Sequence, residues 1–157
     1  MGLDMYLYAK RQVSAYEWEK NPENQALTNL LGILDFAPSE LHYPSVSVTL
    51  PIGYWRKANQ IHNWFVQNVQ DGQDDCRDYY VSREKLEELL SICEKVLEDK
   101  SLAAELLPTS SGFFFGSTDY DEYYEMDLRE TVILLTKILQ DGRLNNSNVD
   151  FLYTSSW

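Results

Sequence analysis

The sequence predicts an α+β fold, a single domain over residues 1–157 in which several amphipathic helices pack on a small, mainly antiparallel sheet. Alternating apolar residues at both chain ends predict the strands, and three apolar stripes at helical spacing between them predict the helices. No internal repeat and no low-complexity linker divides the chain.

Leu3, Met5 and Leu7 alternate with Asp4, Tyr6 and Tyr8, the period of a half-buried strand over residues 2–8. From Val13 to Leu34 the pattern is helical but poorly phased, and Asn21-Pro22 marks a new helix with Pro22 at its first position. Val46, Val48 and Leu50 alternate with Ser45, Ser47 and Thr49, and the flanking Pro44 and Pro51 place this strand at a sheet edge. Over residues 54–69 a helix is expected, with Trp55, Ala58, Ile61, His62, Phe65, Val66 and Val69 on one face. Ser82 is the expected N-cap of the next helix, and Leu86, Leu89, Leu90, Cys93, Val96 and Leu97 form its stripe. A short helix over residues 101–107 stops at Pro108, and Phe113 to Phe115 form a short buried strand or a tight aromatic turn. The last helix is expected over residues 119–141, before Gly142, and Val149, Phe151 and Tyr153 alternate again as a strand.

Composition narrows the function classes. Twenty-five acidic against 13 basic residues give a net charge of −12, a field that repels phosphates and argues against direct nucleic-acid binding. No apolar run approaches the ~18 residues of a membrane span, and no basic leader opens the chain. The expectation is a soluble cytoplasmic protein that does not contact membranes. Cys76 and Cys93 fit no zinc or redox spacing and read as free thiols.

Met-Gly-Leu-Asp-Met-Tyr-Leu at the start, the stretch from Tyr54 to Val66, and Leu106-Leu107-Pro108-Thr109 leading into residues 112–118 carry a family likeness. Together they resemble a family of small phage and prophage proteins without an assigned biochemical function. The likeness covers residues 1–8 and about 54–141, together with the closing residues. It implies a phage or prophage setting, in which interference with a host defence system is a natural role.

Candidate chemistry is sparse. His62 could serve as a general base or ligand contact if it reached a cleft, and otherwise reads as a core histidine with a structural hydrogen bond. Neither the carboxylates of 71–78 nor those of 119–127 reproduce the calcium-loop pattern of alternating ligands, a glycine at the sharp turn and a terminal bidentate glutamate, so no metal and no cofactor is expected. Two functions remain. The first is a non-enzymatic protein that engages a basic host or phage protein through an acidic, tyrosine-rich surface of Asp119, Tyr120, Asp121, Glu122 and Tyr123. Tyr124 is assigned to the core. The alternative is a small-ligand or nucleotide-binding protein with a pocket around Trp55, Arg56, Asn59 and His62.

Overall fold

In the computed structural model the chain is described over residues 2–14 and 22–157. Strands β1 (Asp4–Ser14), β2 (Ser45–Arg56), β3 (Tyr79–Val81) and β4 (Asp150–Ser156) form one four-stranded antiparallel sheet in the order β2-β1-β4-β3. Helices α1 (Pro22–Gly32), α2 (Asn59–Asn68), α3 (Arg83–Glu98), α4 (Ala103–Leu106) and α5 (Glu122–Gln140) complete the α+β architecture. The chain forms two compact units, Met1–Ala9 with Pro51–Trp157 and Lys10–Leu50.

In the first unit, Leu3, just before β1, and Met5 and Leu7 on it are completely buried, in one cluster with Ile61 and Phe65 of α2, Leu86 and Leu89 of α3, and Leu128 and Leu135 of α5. Removing such side chains from water stabilises by about 1.5–3 kcal/mol each. Helices α3 and α5 pair antiparallel. Arg83, at the start of α3, donates Nη2 to the Leu139 carbonyl at the end of α5 (2.8 Å), and Lys100, just past α3, pairs with Glu125 in the first turn of α5. Their buried residues are Leu86, Leu89, Cys93 and Val96 of α3 and Tyr124, Leu128, Thr131, Leu135 and Ile138 of α5. Ser82 caps α3 as expected, accepting from the Lys85 amide at 3.2 Å. The second unit has its own small core of Val13, Leu27 and Leu31.

Three element boundaries differ from the sequence reading. The helix expected over 54–69 begins only at Asn59, and Trp55 and Arg56 lie on β2. The chain leaves the strand at Lys57, whose φ of 59° is left-handed and whose amide donates to the Leu3 carbonyl at 2.8 Å. Apolar residues on a strand and on the helix that follows it thus imitate one continuous stripe. Val13 belongs to β1 rather than to a helix, because β1 runs to Ser14; Pro22 does open α1, and the helical reading of 15–21 lies outside the described residues. The last helix starts at Glu122, because Asp121 accepts hydrogen bonds from the amides of Tyr123 and Tyr124 and ends the preceding loop. β2 does occupy a sheet edge, and Phe113 to Phe115 form a turn.

Because β4 lies between β1 and β3, deleting residues 149–157 should abolish the cooperative thermal transition, as followed by circular dichroism; a transition that survives would refute the strand order. Burial pushes the Cys93 thiol up to about 12, whereas Cys76 is exposed. A disulfide-exchange reagent in mildly alkaline buffer should therefore label one thiol in the native chain and two after denaturation.

Candidate functional site

Helix α2 carries an unusual load, since Asn59, Gln60 and His62 are polar and each is no more than 2% exposed. A buried polar group without a partner costs about 1–3 kcal/mol, so each must find its bonds inside the protein. Asn59 fastens the loop before α5 at three points. Its Nδ2 donates to the carbonyls of Phe115 (3.2 Å) and Ser117 (2.8 Å), and its Oδ1 accepts from the Ser110 amide (3.0 Å). The same loop is closed by Thr109, which donates Oγ1 to the Thr118 carbonyl at 3.0 Å. Gly112 is required there, because a Cβ at that position would lie 2.5 Å from the Phe115 ring.

His62 joins three distant segments. Its Nδ1 lies 2.7 Å from the hydroxyl of Tyr153 on β4, and its Nε2 lies 3.1 Å from Oδ2 of Asp74 in the loop after α2. Burial, and then the charge of Asp74, raise the Tyr153 hydroxyl well above its ordinary range, so it stays protonated beside Nδ1. The Nε2 contact falls outside hydrogen-bond geometry. Asp74 also accepts from the Trp157 indole Nε1 at 3.0 Å. Phe115 meets the His62 ring edge-on, and Phe65 stacks on Tyr153 with centroids 3.9 Å apart.

An Asp–His–Tyr order invites comparison with a general-base relay, but a nucleophile must be reachable. Tyr153 is completely buried, and no substrate atom can approach its hydroxyl without unfolding β4. The arrangement therefore ties α2, the loop after it and β4 together. Gln60 makes a parallel tie, donating Nε2 to Oδ2 of Asp127 on α5 at 3.0 Å. Desolvation raises the Asp127 carboxyl to about 6, overcoming the lowering effect of the Gln60 bond. Trp55 donates Nε1 to Thr131 of α5 at 2.9 Å.

Three of the four residues expected around a ligand pocket, Trp55, Asn59 and His62, thus have their side-chain polar groups engaged with protein partners, while Arg56 is exposed on β2. Of the acidic, tyrosine-bearing set, Asp119 and Glu122 are exposed, Tyr120 is 46% and Tyr123 72% exposed, and the Asp121 carboxylate caps α5. Tyr120 is held in place by an edge-on contact with Tyr124 and by the Thr109 amide, which donates to its hydroxyl at 3.3 Å. Tyr124 is buried and donates to the Leu107 carbonyl at 2.9 Å. Among the described residues, no three His, Cys, Asp or Glu side chains come together as metal ligands would. Asp74, Tyr153, Trp157, Gln60 and Asp127 were not singled out from sequence as a connected set, because their pairings span from 12 to 91 residues and leave no local pattern. Comparison with protein-family models, curated proteins and solved structures found no match.

Tyr153→Phe removes one hydroxyl and strands His62 Nδ1, so it should cost about 1–3 kcal/mol in denaturant unfolding, with little change in secondary structure. Asp127 is favoured in its neutral form by the fold, so its contribution is present below the ordinary carboxylate range and is lost as pH rises through about 6. Asp127→Asn, which keeps an acceptor for Gln60, should raise the thermal midpoint at neutral pH and leave it unchanged in strong acid.

Proposed function

We propose that this chain is a non-enzymatic phage or prophage protein that binds a basic host or phage protein through the acidic, tyrosine-bearing surface at the start of α5. The observation that carries this reading is the contrast between two sets of residues. The polar groups of Trp55 and Asn59 and the Nδ1 of His62 are bonded within the core, whereas Tyr120 and Tyr123 stand exposed beside Asp119 and Glu122. Tyrosines supply contact area at little entropic cost, and neighbouring carboxylates suit arginine-rich surfaces. A net charge of −12 adds long-range attraction for a cationic partner. Asp121 supports the surface indirectly, by fixing the first turn of α5 from which Glu122 and Tyr123 project.

The family likeness of the opening residues and of residues 54–141 supports a setting inside an infected or lysogenic bacterial cell. Countering a host defence protein is the role that this setting and this surface together favour. A basic groove made for nucleic acid is the chemistry that an acidic protein surface would occupy best.

Association with the partner should weaken steeply between low and high salt, by surface plasmon resonance or calorimetry. Asp119→Asn with Glu122→Gln should slow association, and Tyr123→Ala should speed dissociation, each with an unchanged thermal midpoint. A salt-insensitive complex, or a small ligand whose stabilising effect is lost in Arg56→Ala, would sink the reading in favour of a ligand-binding protein.

A further inference from the structure

Helix α5 carries two seams with the same four-three spacing. The inner one, from Tyr124 to Ile138, packs on α3; the outer one consists of Met126, Glu130, Ile133, Lys137 and Gln140, and every one of its members is exposed. Ile133 is 69% exposed and Met126 47%, a large apolar exposure for the middle of a long, regular helix. Beside Ile133 runs an open groove of about 770 Å³, whose walls include Val132, Thr136, Lys137 and Arg143.

We propose that this outer seam is a self-association surface on which α5 of a second copy packs antiparallel, centred on Ile133. Charge selects both the occupant and its direction. Glu130 precedes Ile133 by three residues and Lys137 follows it by four. In a parallel pair, glutamate would face glutamate and lysine would face lysine. Reversing one helix about Ile133 sets Glu130 of each copy against Lys137 of the other, twice, and opposes the two helix dipoles favourably. Ile133 of each copy enters the groove beside its counterpart, as a side-chain knob does in a coiled coil. The 19 residues of α5 give a contact of about 28 Å. Within the seam Glu130 and Lys137 balance, beside it Arg129 pairs with Glu125 and Arg143 with Asp141, and salt confines the remaining repulsion of the chain to about 8 Å. The surface proposed for the basic partner, residues 119–123, lies at the N-terminal end of α5, outside this seam.

Sedimentation equilibrium of the purified full chain over a wide concentration range tests the proposal. A reversible dimer is expected, and Ile133→Glu should leave a monomer with an unchanged circular dichroism spectrum. Glu130→Lys alone and Lys137→Glu alone should each weaken dimerisation by about tenfold or more, through two like-charge contacts apiece. Combining the two exchanges should restore it. A monomer at every concentration, a dimer indifferent to Ile133→Glu, or a combined variant no tighter than either single one would overturn the proposal.

Discussion

Polar side chains taken out of water must meet partners inside the protein, and α2 imposes that requirement three times in four residues. Asn59, Gln60 and His62 cannot be satisfied along their own helix, so each determines where a distant segment must lie. Asn59 sets the course of the loop before α5, Gln60 sets the position of α5 through Asp127, and His62 sets β4 and the loop after α2. Apolar burial supplies most of the driving force but tolerates sliding. The hydrogen bonds do not, and they give the core of the first unit a single arrangement.

Backbone strain gathers around the same helix. Lys57, Asp71, Cys76 and Phe114 all have left-handed φ values between 52° and 70°, and all lie in the segments that α2 or its partners hold. Such conformations cost non-glycine residues of order 1 kcal/mol each, so they persist only where the surroundings fix them. Lys57 shows how this is done. Its amide bonds to Leu3, its carbonyl accepts from the Asn59 amide at 2.9 Å, and a side chain at Gly116 would crowd its Cβ and carbonyl oxygen.

Much of the fold was legible because periodicity is local. The β1 alternation, the α3 cap and stripe, the edge position of β2 and the burial of Tyr124 follow from patterns a few residues long. The start of α2 was not, because Trp55 on a strand and Ala58 beside a helix fall on one apparent stripe when the turn at Lys57 is unseen. β3 was missed because three residues, Tyr79 to Val81, are too few to show a period. Their strand character comes from pairing with residues 151–153 of β4. The site was half legible. The reading of His62 as a core histidine with a structural bond agrees with its environment, but no local pattern marks Asp74 or Asp127, and only the folded chain brings them to His62 and Gln60.

The position of β4 has a consequence for how the protein comes to exist in a cell. During synthesis β1 and β3 both leave the ribosome before the strand that must join them, so the sheet stays split until residues 150–156 emerge. The Tyr153 hydroxyl arrives at the same moment, and until then His62 lies in an unfinished core. Folding of the first unit is thereby delayed until residues 150–156 have emerged, and a chain interrupted before them displays two open strand edges to proteases and chaperones.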